Sequence, residues 1–406
     1  MRVLFVTHNV PRFDGDAAGS FVLRLAVALQ DAGARVEIIA PGTAGLAARD
    51  TIEGVIIHRV RYAPDADMTL AYTGTMVEQV RRSWSARRAL LGLLRALRQA
   101  ARTAIAQATQ AGDAFDVIHA HWWFPAGLAL WRGLPRPSNV HPMPARVLTM
   151  HGSDVRLART IAPARWLMRT VLREYPVRTA VSTWLAQTVQ SMTDNRRVHV
   201  APMPVDIRHF ALPVTDARSG VLFVGRLNAQ KGIADLLSSL AQPALQSTTL
   251  DVVGDGPDRE VLAAQSVASG IANRIRWHGV LSQADLVPLY QRAAVVAMPS
   301  REEGLGLVAV EAQLCGAPVV AYASGGLVDV VRPEAGGTLV PVGDTAALAS
   351  AIAALVRDPG AAATRGRRAH ADILARFSPA SVADQYLQYY RDAIAASPAT
   401  AIRRNA

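Results

Sequence analysis

The segment Met298-Pro299-Ser300-Arg301-Glu302-Glu303-Gly304-Leu305-Gly306-Leu307-Val308-Ala309-Val310-Glu311-Ala312 sets two carboxylates around a glycine turn that opens an apolar helix. Glycines allow a ligand to approach the backbone, and the exposed amides of a helix start attract anions. Glu303, ahead of the helix, can accept bonds from sugar hydroxyls, while Glu311, about two turns in, suits a vicinal diol such as a ribose. A surface loop capped by a first-turn acid has the same spacing. A second segment, Val224-Gly225-Arg226-Leu227-Asn228-Ala229-Gln230-Lys231-Gly232, also follows an apolar run. Its cations, Arg226 and Lys231, lie five residues apart among glycines and suit a diphosphate, or else form a solvated basic loop. In Gly254-Asp255-Gly256-Pro257-Asp258-Arg259 an arginine stands where the third glycine of a dinucleotide fingerprint belongs, which favours a tight turn starting a helix.

Histidines form a third set. His119 and His121 sit at the end of an apolar run, two residues apart and on one face, and His151-Gly152-Ser153-Asp154 follows another such run. Neither a carboxylate nor a third histidine stands at metal-ligand spacing, and His-Glu-x-x-His is absent, so no metal is expected. Hydrogen bonding in a ligand cleft suits these histidines better, with a structural role for one of the pair.

The elements that must position these residues read as two series. Short apolar runs at Val3–Thr7, Arg35–Ala40, Val55–Val60, Val117–Ala120, Arg146–Met150 and Thr179–Val181 alternate with helical segments such as Phe21–Gln30. After the proline-bearing hinge Pro202–Pro213 come Val221–Val224, Leu250–Val253, Ile275–Trp277, Val295–Ala297 and Val319–Ala321, separated by Ile233–Leu240, Arg259–Ser269, Gln283–Ala293 and Leu307–Cys315. Strands alternating with helices mean mostly parallel sheets covered on both faces. The fold class is therefore α/β, with two Rossmann-like, doubly wound parallel-sheet domains over residues 1–205 and 206–377 and a closing helix over 378–396. Ligands of open α/β sheets collect at the carboxyl ends of strands, so a cleft where two such sheets face each other is the default site.

The 406 residues, half of them hydrophobic, allow sizeable cores, and the single cysteine, Cys315, cannot form an internal disulfide. No run is long and apolar enough to span a bilayer, and the first residues read as a strand rather than a leader, so a cytoplasmic location is expected. The net charge of +11 points to polyanionic partners. Arg81, Arg82, Arg87, Arg88, Arg95, Arg98 and Arg102 interleave with Trp84 and with Leu90, Leu91, Leu93, Leu94 and Leu97. That pattern suits a basic amphipathic helix on an anionic membrane surface, here the inner face of the plasma membrane, or a helix packing its leucines inward. A second basic run comprises Arg156, Arg159, Arg165, Arg169, Arg173 and Arg178. Nucleic acid is not expected as a partner, because no binding motif accompanies the charge.

Taken together, these motifs resemble the retaining glycosyltransferases of family 4, of GT-B fold, over nearly the whole chain. The specific part is Gly225-Arg226-Leu227…Lys231-Gly232, Val253-Gly254-Asp255-Gly256-Pro257 and Pro299-Ser300…Glu303-Gly304…Glu311-Ala312; His119-Ala120-His121, His151-Gly152-Ser153-Asp154 and Ala180-Val181-Ser182 match more loosely. The resemblance implies that Arg226 and Lys231 hold the donor diphosphate, Glu311 the ribose and Glu303 the transferred sugar. It gives the Gly304, Leu305, Gly306 and Leu307 amides to sugar and phosphate, His121 and His151 to the reaction centre, and the last helix to the N-terminal domain. The first loop, with Gly15 and Gly19, would meet the donor, although the adjacent glycine pair of many members is absent there. Leu305 replaces a common phenylalanine, Met203-Pro204 a common Asn-Gly, and Asp329 the usual glutamate after Gly325-Gly326. The implied activity moves a hexose from a nucleotide-diphosphate sugar to a hydroxyl of a lipid-linked, glycan or small-molecule acceptor, without a metal, in cell-envelope polysaccharide or glycolipid synthesis. A non-catalytic nucleotide-binding or assembly protein, a nucleotide-sugar epimerase and a glycogen-type synthase are the alternatives on this fold.

Overall fold

The computed structural model describes residues 1–16, 18–72, 76–134, 143–214 and 217–397; Ala17 of the first loop lies outside them. The chain forms two compact units. The first contains Met1–Val181, Leu185–Pro204 and the helix Pro379–Ala395, and the second contains Val205–Ser378 with Ser182–Trp184.

The first unit has the strands β1 (Arg2–Val6), β2 (Arg35–Pro41), β3 (Arg49–Ile52), β4 (Val55–Val60), β5 (Val117–His121), β6 (Ala145–Met150), β7 (Val177–Ala180) and β8 (His199–Val200), in the sheet order β3-β4-β2-β1-β5-β6-β7-β8. All pairings are parallel except β3 with β4. Central strands read as unbroken apolar runs because both faces are covered: Val3, Leu4, Phe5 and Val6 are fully buried, as is every residue of β5. The sequence gives little sign of β3, a polar edge strand joined to β4 through the left-handed pair Glu53 and Gly54. The helix Pro379–Ala395 packs against the helix Ser20–Asp31 and against β5, β6 and β7, burying Tyr386 and Tyr390.

The second unit has β9 (Ser219–Val224), β10 (Leu250–Val253), β11 (Ile275–Gly279), β12 (Ala293–Met298), β13 (Val319–Tyr322) and β14 (Thr338–Val340), all parallel, in the order β11-β10-β9-β12-β13-β14. The core on one face of this sheet joins Val221, Phe223 and Val252 with Leu236 and Leu237 of the helix Ile233–Leu240 and Ile352 of the helix Thr345–Arg357. Three-residue β14, behind Gly336-Gly337, has no apolar run long enough to announce it. In both sheets the chain reverses direction across neighbouring strands, at β1/β5 and at β9/β12, the places where doubly wound sheets open to ligands.

Candidate functional site

In the second unit the two charged segments emerge side by side, because β9 and β12 are neighbours with Val221 opposite Val295. Two hydrogen bonds lace them together: the Arg301 amide donates to the Gln230 carbonyl and Gln230 Nε2 donates to the Glu302 carbonyl, both at 2.8 Å. Gly232, in the left-handed region, lets the first segment turn against the second; a Cβ there would lie 1.9 Å from the Pro299 carbonyl oxygen. Asn228 caps the turn through Oδ1, accepting from the Lys231 amide at 3.2 Å. The outcome is direct contact between the chemistry-bearing groups: Lys231 Nζ is ion-paired with Glu303 Oε2, and both side chains are mostly buried.

Arg226 is exposed, and among the described residues no carboxylate pairs with it, so of the two cations only Lys231 meets a glutamate. Beyond Glu303, Gly306 takes a left-handed conformation (φ 93°) and caps the helix Leu307–Leu314. The amides of Leu305, Gly306 and Leu307 have no hydrogen-bond partner among the described residues, as expected ahead of the first helical turn. Glu311 is the fifth residue of that helix, a little over one turn in rather than about two, because the helix starts at Leu307. Its Oε2 accepts a hydrogen bond from the Tyr290 hydroxyl at 3.1 Å. Burial first, and then the Glu311 carboxylate, push the Tyr290 phenol up, and the same causes push the Cys315 thiol up to about 12. Tyr290 is therefore a neutral donor, and Cys315 is a buried thiol rather than a nucleophile.

The glycines around these loops serve packing. A Cβ on Gly254 would lie 2.0 Å from the Gly225 carbonyl oxygen, and one on Gly256 2.3 Å from that of Leu227. The Gly254–Gly256 turn is thus the floor under Arg226, which is the tight-turn reading of that segment. Gly325 and Gly326 press on Glu303 and Gly304 in the same way, at 2.2 and 2.3 Å, and the Gly326 amide donates to the Glu303 carbonyl at 2.8 Å.

In the first unit a cavity of about 880 Å³ lies at the β1/β5 reversal, lined by His8 and Asn9 after β1, Trp122 and Phe124 after β5, and Asp154 after β6. Trp122 is left-handed (φ 66°), a conformation costly for a bulky residue and held here by its surroundings. Its ring lies 4.1 Å from His151 and 4.4 Å from His8. Asp154 organises this corner: its carboxylate accepts from the amides of Trp123, His151, Gly152 and Val155 at 3.0–3.2 Å.

His121 and His151 are brought together, with Nδ1 and Nε2 3.2 Å apart. His121 Nε2, His8 Nδ1 and Asn9 Oδ1 are buried without a hydrogen-bond partner among the described residues. Burial lowers the basicity of His8 to about 4 and of His121 to about 3, and holds His151 well below its usual value, so all three are neutral at pH 7. His119 is the structural member of the pair, with Nδ1 on the Tyr390 hydroxyl (2.8 Å) and Nε2 on Thr149 Oγ1 (2.7 Å). The two first-loop glycines part ways. Gly19 precedes the helix Ser20–Asp31 and packs on Asn9, whereas a Cβ on Gly15 would meet nothing within 4 Å.

The seven arginines of residues 81–102 do not form one helix. Met76–Arg82 and Trp84–Gln110 break at Ser83, and Arg81 and Arg82 line the cavity. Arg87 donates to the Val80 and Arg81 carbonyls at 3.0 Å, and Arg98 Nε donates to that of Ala129 at 2.8 Å. Leu93 and Leu97 point into the core, while Trp84 and Leu91 stand out at 71% and 54% exposure beside exposed Arg88, Arg95 and Arg102. Sequence reasoning missed Tyr290, Gln230 and the cavity wall of Arg81 and Trp122; only the left-handed strain at Trp122 marks that corner, and strain has no residue-type signal.

Two family descriptions match, Glycosyltransferase Family 4 over residues 18–209 and Glycosyl transferases group 1 over residues 206–372. A D-inositol 3-phosphate glycosyltransferase of Xylanimonas cellulosilytica is 32% identical over 72% of this chain and 76% of its own. A 2-deoxystreptamine N-acetyl-D-glucosaminyltransferase of Streptomyces fradiae is 31% identical over 93% of this chain and 92% of its own. The solved sucrose-phosphate synthase of Thermosynechococcus elongatus superposes with a TM-score of 0.77 at 23% identity, over 98% of this chain and all of that one. On this evidence the chain belongs to the family 4 glycosyltransferases, enzymes of GT-B fold that use nucleotide sugars.

Proposed function

We propose that this glycosyltransferase moves a hexose from a nucleoside-diphosphate sugar to a hydroxyl of its acceptor with retention of anomeric configuration. The observation that supports it most is the Lys231–Glu303 pair beside the unpartnered Leu305–Leu307 amides, at the carboxyl ends of adjacent strands β9 and β12. In this reading Arg226 and Lys231 take the diphosphate, Glu311 the ribose and Glu303 the hexose hydroxyls. The anomeric carbon–oxygen bond breaks with its electron pair leaving on the diphosphate. The acceptor oxygen attacks the same face, and its proton passes to the departing phosphate oxygen, giving the glycoside and the nucleoside diphosphate. No side chain need act as base. Preorganised cations and amides stabilise the developing anion and are already in place when it forms. With two cations on the leaving group the reaction runs without a divalent metal, and EDTA leaves turnover unchanged. In the first unit, neutral His121 hydrogen-bonds a ligand hydroxyl through its unpartnered Nε2.

A thermal-shift panel of UDP-, GDP- and ADP-sugars tests the donor reading, because a ligand that binds the native state raises its melting temperature. One nucleotide class should stabilise the protein and the loss of Arg226 should abolish the shift. Stabilisation by none would contradict the reading.

The outward face of Trp84, Arg88, Leu91, Arg95 and Arg102 favours a second reading, contact with an anionic bilayer surface. Trp166, 66% exposed beside exposed Arg165, repeats the pattern on the helix Ala162–Leu172. Among the described residues no single helix is long and apolar enough to cross a membrane. Binding to phosphatidylglycerol vesicles should exceed binding to phosphatidylcholine and fade with salt; equal partition onto both refutes it.

A further inference from the structure

The two relatives act, by name, on an inositol phosphate and on 2-deoxystreptamine, acceptors of opposite charge, so this chain's preference must be read from its own cavity. One wall of that cavity is the helix Met76–Arg82, which contributes Glu78, Arg81 and Arg82. Glu78 is engaged by Arg82 at 2.8 Å. Arg81 is exposed toward solvent, and among the described residues no carboxylate pairs with it. Arg87, seated on the last carbonyls of this helix, adds a third guanidinium at the same end. Asp154, the other carboxylate lining the cavity, is buried and already accepts four backbone amides, so it offers little to a ligand cation. The wall thus carries uncompensated positive charge.

The lining also includes His8 and Asn9, whose buried Nδ1 (donor or acceptor by tautomer) and Oδ1 (acceptor) have no partner among the described residues and would be satisfied by the hydroxyls of a ring. Trp122, Phe124 and Tyr72 line the same cavity and offer aromatic surface to the C–H faces of such a ring. Arginine is suited to phosphate because its planar fork donates two parallel bonds to two oxygens.

We infer that the acceptor is a phosphorylated polyhydroxyl ring, its hydroxyls at His8 and Asn9 and its phosphate at Arg81 and Arg82. The assignment rests on the transferase reading for the word acceptor, and its test does not depend on transfer. Titration calorimetry on the full chain compares three cyclitols of one ring size: inositol 3-phosphate, myo-inositol and 2-deoxystreptamine. The phosphorylated ring should bind at least about tenfold more tightly than the neutral one, the effect of a charge-assisted contact, and the cationic ring most weakly. Arg81→Glu should erase the preference. Arg196→Glu, the same charge change at an exposed site outside the cavity, should preserve it.

Phosphatidylinositol in phosphatidylcholine vesicles, with inositol 3-phosphate as competitor, tells a lipid headgroup from a soluble phosphate; Arg81→Glu should weaken whichever binds. Three results overturn the inference: no binding of either phosphorylated form, equal or tighter binding of myo-inositol or 2-deoxystreptamine, or a preference that survives Arg81→Glu. Nucleotide-sugar binding by the wild type, measured in parallel, separates this failure from failure of the donor reading.

Discussion

Lys231 and Glu303, one from the loop after β9 and one from the loop after β12, form an ion pair shielded from solvent. The cation proposed for the diphosphate is therefore held, before any donor arrives, by the carboxylate proposed for the sugar. Their contributions to donor affinity must be coupled, because removing either leaves the other half-buried and unpaired. In a double-mutant cycle, Lys231→Ala and Glu303→Ala should each weaken donor binding by roughly tenfold or more, and the double variant by clearly less than the product. Additive losses, measured by calorimetry, would show that the pair is incidental to the donor.

Tyr290 holds Glu311 from behind, by a hydroxyl that burial keeps protonated. Tyr290→Phe keeps the ring and deletes only that bond. Donor affinity should fall by about 1 kcal/mol, some fivefold, as Glu311 loses its orientation. An unchanged dissociation constant would mean that Glu311 does not touch the donor.

The glycines divide by what surrounds them. Gly325 is left-handed (φ 53°) and a Cβ would press on the Glu303 carbonyl oxygen at 2.2 Å, whereas Gly15 (φ 82°) has open space around it. Gly325→Ala should lower the melting temperature by several degrees and displace Glu303, with loss of donor binding; Gly15→Ala should cost only the left-handed strain, about 1 kcal/mol. Equal effects of the two substitutions in thermal melts would contradict this division.

Much of the second unit was legible because its charged residues stand at fixed offsets from buried strands. The runs Val221–Val224 and Leu250–Val253 fall within or match β9 and β10, so the loops after them had to lie at one edge of one sheet. The Lys231–Glu303 contact follows from the adjacency of β9 and β12, which doubly wound topology implies. Tyr290 was not legible, since it sits in an ordinary amphipathic helix and nothing in its spacing tells a core tyrosine from one that reaches a carboxylate. Nor was the role of Arg81 and Arg82. The break at Ser83 turns a basic run into a short helix facing the cavity and a long one whose arginines point several ways, and that break is a capping event, with Ser83 Oγ accepting from the Ala86 amide. Polar β3 was invisible for the opposite reason, because an edge strand needs no apolar run.

Four buried histidines, His8, His119, His121 and His151, fix the direction of the acid response. Burial holds all four below their usual value of about 6.5, so the folded chain stays neutral where the unfolded chain takes up protons. Their stability contribution is complete above about pH 6.5 and is lost as pH falls toward 4. Asp154 works in the opposite sense. Burial raises it to about 6, so the folded state binds its proton first between roughly pH 6 and 4 and gains stability there. One carboxyl offsets one of four imidazoles, and the melting temperature should drop steadily from pH 6.5 to 4.5. A melting temperature that is flat or rising over that interval would mean that the histidines are hydrated and titrate normally.

In the proposed reaction Glu303 and Arg226 serve the departure of a nucleoside diphosphate from an anomeric carbon. The most direct measurement is nucleoside diphosphate release, with the donor that stabilises the protein best, in the wild type, Glu303→Ala and Arg226→Ala. Each variant should turn over about a hundredfold more slowly, equivalent to about 3 kcal/mol of lost transition-state stabilisation, while keeping its fold. Wild-type rates in both variants would mean that neither residue serves the leaving diphosphate.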